Sequence, residues 1–411
     1  MSSQQLRRHA ESCAARQTLT ERLPRHLRNI LSLADFELAA RRHLPRPILG
    51  YVEGGAEDNA ALHAGAAAYR AWSFVPRVLI DVSQRSQQIE LFGATYASPF
   101  GIAPMGISAL IAYEGDLALA RAAEKAGIPM VVSSTGLIKL EEVRSTWFQA
   151  YLPGDSAKID AMVQRVQSAG YGTLVLTVDV ATLPSRENNI RVGFTMPLRP
   201  SVRLAWDGII RPRWTVGTLL RTLLKNGMPH FENSSAVRGV PIFSSAAVRE
   251  FGSRDTLSWA HVDQIRRMWN GKLVLKGILS SEDARIAADR GVDGLIVSSH
   301  GGRQLDASIA PLHALPAIAR AKGAMKVMID SGIRRGNDVL KAIALGADFV
   351  FIGRPFIYAA SIGGQVAVAH AIRLLAHEIQ QDMALIGVNS LRELGPGALA
   401  QSHPEYNGIS R

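Results

Sequence analysis

Eight short apolar runs punctuate the chain: FGIAP (Phe100–Pro104), PMVVSS (Pro129–Ser134), WFQAYL (Trp147–Leu152), TLVLTVD (Thr173–Asp179), KLVLKG (Lys272–Gly277), GLIVSS (Gly294–Ser299), KVMIDSG (Lys326–Gly332) and FVFIG (Phe349–Gly353). Their apolarity is continuous rather than alternating, which predicts strands covered on both faces and hence a parallel sheet. Helical periodicity fills the intervals over Glu114–Ala126, Ser156–Ala169, Trp259–Trp269, Ser281–Arg290, Pro311–Ala321, Asn337–Leu345 and Gly363–Met383, with a short helix at Leu140–Arg144. Gly127, Gly170, Gly291 and Gly346 each follow a helix, where a C-cap belongs. Eight strand–helix units predict an α/β fold closed as a (β/α)8 TIM barrel. An open doubly wound sheet is the alternative. The barrel is preferred because polar residues collect at the C-terminal strand ends, the face on which barrel enzymes carry their sites.

Ahead of the barrel, Leu33–Arg42 reads as a helix entered through Ser32, and Asn59–Ala71 as an alanine-rich helix after GYVEGGAED (Gly50–Asp58). We divide the chain into a basic arm (1–28), the barrel with its helical lead (29–390) and a C-terminal tail (391–411). The stretch 188–258 is too long for an ordinary βα loop. Within it, Leu198–Lys225 mixes Arg199, Arg203, Arg211, Arg213, Arg221 and Lys225 with Trp206, Trp214 and six or more leucines and isoleucines, against the single acid Asp207. That composition describes a segment settling into an anionic headgroup layer. An active-site lid or an oligomer contact is the alternative.

Composition narrows the field. The chain has 411 residues, 47% hydrophobic and 20% charged, enough for a large core. Lys+Arg minus Asp+Glu is 46 − 35, a net charge of +11, which points to an anionic partner. Cys13 is the only cysteine, so neither an intrachain disulfide nor a cysteine metal cluster is available, and no metal site is expected. No zinc-ligand set or RNA-binding aromatic signature accompanies the charge, so nucleic acid is not expected as a partner. No signal-peptide-like segment opens the chain, and no apolar run reaches the roughly 18 residues of a bilayer span. The expectation is a cytoplasmic protein, peripheral at most on the inner face of the cell membrane.

The richest stretch is SSHGGRQLD, Ser298–Asp306. A buried strand that stops at His300 places an imidazole at the barrel rim. Two glycines allow a sharp turn, and Arg303 adds a fixed cation. A base and a cation then share one pocket. Pro104–Gly106, Ser133, Gln149, Tyr151, Thr177, Asp179, Lys276, Asp330, Gly353 and Arg354 stand at the other strand ends.

Taken together, YVEGGAED, IAPMG, WFQAYL, LTVD with Arg186, LVLKG, SSHGGRQLD, IDSGIRRG and FIGRP resemble the FMN-dependent L-2-hydroxy acid oxidase and dehydrogenase family, from about Leu33 to the C-terminal helices. GDLALARAAEKAGIP (Gly115–Pro129) and Asp207–His230 look most like its membrane-associated mandelate dehydrogenase branch. The resemblance implies His300 as catalytic base, with Asp179 orienting it. It implies Arg303 and Arg186 as the substrate carboxylate clamp, and Tyr51 and Tyr151 as partners of the carboxylate and hydroxyl. Lys276 would stand by flavin N1 and O2. Pro104, Met105 and Gly106 would pass under the flavin, with Ser133, Gln149 and Thr177 on its polar edge. Asp330 would meet the ribityl chain, and Ser331, Gly332, Arg334, Gly353 and Arg354 the phosphate. The implied activity is oxidation of an (S)-2-hydroxy acid, mandelate-like, to the 2-keto acid. Electrons would pass to a membrane quinone or respiratory acceptor; an oxidase using O2 and an L-lactate dehydrogenase are the alternatives. A homotetramer is implied too. Three positions depart from the pattern: Ser299 where asparagine is usual, Thr135 where a bulky tryptophan stands in glycolate oxidase, and Gly106 where many oxidases have alanine. The last two suggest room for an aryl group and a dehydrogenase rather than an oxidase.

Overall fold

A computed structural model describes residues 23–194, 202–244 and 254–402. The expected basic arm up to residue 22, parts of the insertion and the last nine positions of the tail lie outside the described residues. The eight apolar runs form eight parallel strands: β1 (Phe100–Ile102), β2 (Val131–Ser133), β3 (Trp147–Ala150), β4 (Thr173–Thr177), β5 (Lys272–Ile278), β6 (Gly294–Val297), β7 (Lys326–Ile329) and β8 (Phe349–Ile352). Each pairs with its sequence neighbour from β2 to β8, and β8 pairs with β1. A bridge between Ile102 and Met130 links β1 to β2 and closes the barrel.

Continuous apolarity has a direct cause here. Val131, Trp147, Val175, Val274, Ile296, Met328, Phe349 and Phe351 fill the lumen. Their strand neighbours Leu174, Leu176, Leu273, Leu275, Leu295 and Val297 face the opposite way, into the layer under the helices. Both faces are dry, so neither can be polar. A hairpin, Ile89–Leu91 paired with Ala94–Tyr96, plugs the N-terminal mouth. Its Phe92 ring lies 5.6 Å from that of Trp147, and Trp147 Nε1 donates to the Tyr96 hydroxyl at 3.2 Å.

The expected helix ends hold. Gly127, Gly170, Gly291 and Gly346 have φ of +65°, +83°, +68° and +111°. Ser32 caps the helix Leu33–His43 in a capping box with Asp35. The last helix is longer than the periodicity predicts, Arg354–Ile386, because β8 runs straight into it. Gly363 and Gly364 kink it where the shorter helix was expected to begin. It is long and apolar enough to cross a membrane, but half of its apolar window is buried inside the protein. Beyond it, Leu399–Gln401 pairs with Trp72–Phe74, so this part of the tail is built into the fold.

In the insertion, helical turns cover Val202–Ile209 and Pro212–Asn226, including a π-helical stretch at Thr215–Leu220. Its faces are divided. Val202, Trp206, Ile209, Val216 and Leu224 are exposed, at 90%, 61%, 66%, 61% and 84%. Trp214, expected among the surface residues, is instead buried, and its Nε1 donates to the Leu110 carbonyl at 3.2 Å.

Phe349 fills the lumen at the start of β8, at the end of the strand remote from the polar rim. Phe349→Ala should cost about 3–5 kcal/mol of stability. A lower urea midpoint at unchanged slope is the expected reading.

Candidate active site

The rim of the barrel is built around the turn after β6. His300, Gly301 and Gly302 all have positive φ, at +56°, +66° and +73°. For His300 this is a costly conformation. Three bonds hold it: His300 N donates to Ser298 Oγ (2.9 Å), Gly301 N to Ser331 Oγ (3.0 Å) and Gly302 N to Ser299 O (2.9 Å). A Cβ on Gly302 would lie 2.4 Å from Leu62 N, so the helix Ala60–Arg70 packs against bare backbone there. Asp306 at the end of the motif caps that helix, accepting from the amides of Asp58 (3.1 Å), Ala60 (3.0 Å) and Ala61 (2.9 Å). The acid in SSHGGRQLD is thus an anchor for the turn, outside the site itself.

His300 Nδ1 faces Asp179 Oδ1 at 3.0 Å, and Nε2 faces the Tyr151 hydroxyl at 3.0 Å. Asp179 is pushed up by burial, but His300 and Lys276 beside it win and hold its carboxyl below the usual range. An ionised carboxylate only accepts, so Nδ1 carries the proton and Nε2 presents the lone pair. Burial lowers the His300 pKa against the opposing pull of Asp179, leaving a neutral imidazole. Burial pushes Tyr151 up to about 12, so it stays a hydroxyl donor. Gly277 makes the approach of Asp179 possible: at φ +106°, a Cβ there would stand 2.5 Å from Asp179 Cγ.

Cations surround this pair. Lys276 Nζ is 3.2 Å from Asp330 Oδ2 and donates to Ser298 Oγ at 2.9 Å. Burial opposes its charge, but Asp330 and Asp179 outweigh it and keep the ammonium protonated. Arg303 Nη1 donates to the carbonyls of Tyr51 and Gly54, both at 2.6 Å, while its buried Nη2 has no partner. Arg186 Nε reaches the Arg303 carbonyl at 3.3 Å. Burial lowers Arg303 to about 9, with Arg186 adding to it, and the guanidinium remains charged at neutral pH. Tyr51 lies under Arg303, whose Cζ is 4.8 Å from the ring centroid. Arg354 is committed to backbone: Nε to Val52 O at 2.9 Å, and Nη2 to Gly301 O at 2.9 Å and Gly54 O at 3.3 Å. It therefore stitches the YVEGG segment to the histidine turn.

These residues open onto one cavity of about 390 Å³. Tyr51, Pro104, Met105, Gly106, Tyr151, Thr177, Arg186, Lys276, His300 and Arg303 line it, and so do Asp330–Gly332, Arg334, Gly353 and Arg354. Asp179 closes the base from behind. Ser133 and Gln149 are not among the residues that line the cavity: Ser133 Oγ bonds Thr135 Oγ1 (2.9 Å) and Gln149 Oε1 (3.2 Å), and Gln149 Nε2 is buried without a partner. Asp330 has both oxygens engaged, by Lys276 and by Ser331 Oγ at 2.8 Å. Sequence reasoning missed Ile107, Ile111, Leu183, Phe194, Phe231 and Arg254, which also line the cavity. They come from loops and the insertion, where no periodicity marks an inward side chain. Thr135 and Gly106 are coupled: a Cβ on Gly106 would fall 2.2 Å from Thr135 Oγ1.

A parallel barrel with a histidine–aspartate pair, a buried lysine and two arginines around one cavity at its strand C-termini defines an enzyme-type anion site with an oriented base. The Arg303 Nη2 and Thr177 Oγ1 atoms are buried without partners and face a cavity large enough for a planar cofactor and a small acid. The family of FMN-dependent dehydrogenases matches residues 40–401, and the chain belongs to it. It is 36% identical over 376 residues to (S)-mandelate dehydrogenase of Pseudomonas putida, covering 90% of this chain and 94% of that protein. It is 38% identical over 383 residues to L-lactate dehydrogenase of Xanthomonas campestris pv. campestris (strain 8004), covering 90% and 97%. The crystal structure of the monotopic membrane protein (S)-mandelate dehydrogenase superposes with a TM-score of 0.83 at 35% identity, over 91% of this chain and all of the other (100%). Mandelate oxidase superposes at 0.75 and 34% identity, over 90% and 98%. The cofactor is FMN, and the chemistry is oxidation of a 2-hydroxy acid.

Asp179 raises the His300 pKa, so removing its charge should lower it further. Asp179→Asn should move the acidic limb of the pH–rate profile of flavin reduction to lower pH and reduce the plateau rate. A limb that stays in place would show that another group titrates.

Proposed function

We propose that the protein oxidises an (S)-2-hydroxy acid with an apolar, mandelate-like side chain to the 2-keto acid and passes the electrons to a membrane acceptor such as a quinone. The observation that carries this is the oriented base, His300 Nε2 backed by Asp179, facing a cavity that also holds the unpaired Nη2 of Arg303. Arg303 and Arg186 hold the substrate carboxylate, for which planar guanidinium forks are suited. Tyr51 and Tyr151 bond the carboxylate and the hydroxyl, and place the carbinol at Nε2. The oxidation removes two electrons and two protons from that carbon–oxygen unit. Bound FMN supplies the two-electron sink. His300 takes a proton at Nε2, and the charge it gains is balanced by Asp179 through Nδ1. Lys276 holds a fixed positive charge where negative charge accumulates on reduction.

Main-chain and side-chain groups for the cofactor divide in two. Pro104–Gly106, Thr177 and Lys276 would hold the ring, with Ser133 and Gln149 supporting its polar edge from behind Thr135. Asp330, Ser331, Gly332, Arg334, Gly353 and Arg354 would hold the ribityl phosphate, at the loops after β7 and β8 where barrels bind phosphate. Ile107, Ile111, Val180, Leu183, Phe194 and Phe231 give the cavity an apolar wall that favours an aryl group over a methyl. The exposed apolar row on Val202–Leu224 beside Arg213, Arg221 and Lys225 supports peripheral docking on an anionic membrane, on the cytoplasmic face. The family resemblance supports a homotetramer.

Anaerobic mixing with (S)-mandelate, L-lactate and glycolate tests the reading. Mandelate should bleach the oxidised flavin band fastest. No bleaching with any of them would refute it, and preference for lactate would move it to the lactate branch. His300→Ala should slow bleaching by about 10²–10⁴-fold while FMN stays bound, and Lys276→Met should slow it too. Reduced enzyme that reoxidises in air within seconds would make it an oxidase. Binding to anionic vesicles at low salt should fall when Trp206 and Leu224 are replaced by serine; unchanged sedimentation would sink the docking face.

A further inference from the structure

One buried carboxylate plays no part in the chemistry above. Asp116 opens the helix Gly115–Lys125 and is 1% exposed. Among the described residues no cation pairs with it, and burial pushes its carboxyl up to about 6. The Ser108 hydroxyl donates to Oδ1, the backbone amides of Asp116 itself and of Leu137 also favour the charged carboxylate, and Oδ2 is left without a partner. Gly115 is required for this contact, since a Cβ there would stand 2.2 Å from the Ser108 carbonyl oxygen. An acid so poorly compensated is an expensive way to fill a core position. It needs a reason beyond filling space.

The reason lies in what the two donors from outside the helix, Ser108 and Leu137, carry. Ser108 begins the turn of helix Ser108–Ile111 after β1, and Leu137 lies in the loop after β2. Ile107 and Ile111 on the first loop, and Thr135 on the second, line the cavity. The loops touch through Ile107 N, which donates to Thr135 O at 3.1 Å. Asp116 staples them a second time, from behind. Asn233, fully buried, does the same for the third part of the wall. Its Oδ1 accepts from Leu140 N and its Nδ2 donates to Ile138 O, both at 2.8 Å. Glu232 N donates to Gly136 O at 3.2 Å, and Phe231 next to it reaches the cavity.

We propose that Asp116 is a positioning residue for substrate selectivity: with Asn233, it fixes the spacing of Ile107, Ile111, Thr135 and Phe231 and so decides which 2-hydroxy acid side chain the site accepts. The proposal rests on the oxidation reading of the same cavity. It places selectivity in a polar brace behind the wall as well as in the apolar side chains that touch the substrate. Asparagine at 116 keeps an acceptor for Ser108 and Leu137. Leucine removes both bonds, and Ser108→Ala removes one of them without touching the acid.

The test uses the FMN-loaded enzyme and its Asp116→Asn, Asp116→Leu and Ser108→Ala variants, with (S)-mandelate and L-lactate and a dye acceptor. Asp116→Asn should keep the ratio of kcat/KM for the two substrates within about threefold. Asp116→Leu and Ser108→Ala should shift it by roughly tenfold, the scale on which an apolar pocket discriminates. The shift should come from KM for mandelate, with kcat on lactate nearly constant. Dissociation constants of benzoylformate and pyruvate, read from flavin fluorescence, should move in the same ratio. An unchanged ratio in Ser108→Ala, or a fall in kcat on both substrates at constant KM, overturns the proposal. If Asp116→Leu does not fold, Ser108→Ala decides alone. If the wild type oxidises neither acid, the functional reading fails, while the two dissociation constants still test the brace.

Discussion

The contact on which the rest depends is that between Asp179 and His300. A histidine at a strand end is ambiguous until something fixes which nitrogen holds the proton. Here a buried carboxylate does so at 3.0 Å. Several costs elsewhere exist to permit it. His300 takes a left-handed backbone conformation, and Gly277 gives up a side chain so that Asp179 can approach. Ser298 uses its one hydroxyl to bond both the His300 amide and the Lys276 ammonium. Strain concentrated at one turn and held by its neighbours is the usual mark of a working site.

Charge is the second constraint. Arg186, Arg254, Lys276, Arg303, Arg334 and Arg354 line the cavity, against Asp330 on the wall and Asp179 behind the base. Burying so many cations with so few acids is unfavourable unless anions complete the site. In the proposed reading a phosphate at one end and a carboxylate at the other would do so, so that a flavin mononucleotide and a 2-hydroxy acid share one pocket. The two ends also communicate. Arg303 and Arg354 both donate to the Gly54 carbonyl, at 2.6 and 3.3 Å, so the two guanidiniums share a backbone anchor in YVEGG. That segment precedes the barrel in the chain, yet it closes the site.

Much of this was legible in the residues. The barrel follows from continuous apolar runs, because β4 and its neighbours bury both faces, and each strand end could be read from where its run stops. His300, Arg303, Lys276 and Asp179 stand at those ends. The sequence did not show that Asp306 is a cap, because an aspartate three residues past an arginine looks alike in a site and in a turn. Trp214 was misassigned to the surface for a similar reason: tryptophan among leucines and arginines fits a membrane layer or a core contact, and only its bond to Leu110 distinguishes them. Ser133 and Gln149 stand at their expected strand ends, buried beside the cavity. Phe231 and Arg254 arrive from an irregular insertion, where side-chain direction carries no periodic signal.

The insertion explains how one segment can serve both surface and site. Its outward face offers Val202, Trp206, Val216 and Leu224 to the exterior, a face that apolar surroundings would cover. Its inward face is held by directional bonds: Trp214 to the Leu110 carbonyl, and Asn233 to the backbone at Ile138 and Leu140. Apolar packing alone would let such a segment slide, because dispersion contacts are nearly indifferent to small shifts. A buried hydrogen bond is not, since breaking it leaves an unpaired polar group. The segment is therefore tied in register to the same two loops, after β1 and β2, that Asp116 staples. Strands that end at the rim set where His300 and Lys276 stand, while the loops after β1 and β2 supply Ile107, Ile111 and Thr135 of the wall. Here those loops are braced by buried polar groups, Asp116 and Asn233, whose hydrogen bonds would be lost if the loops shifted.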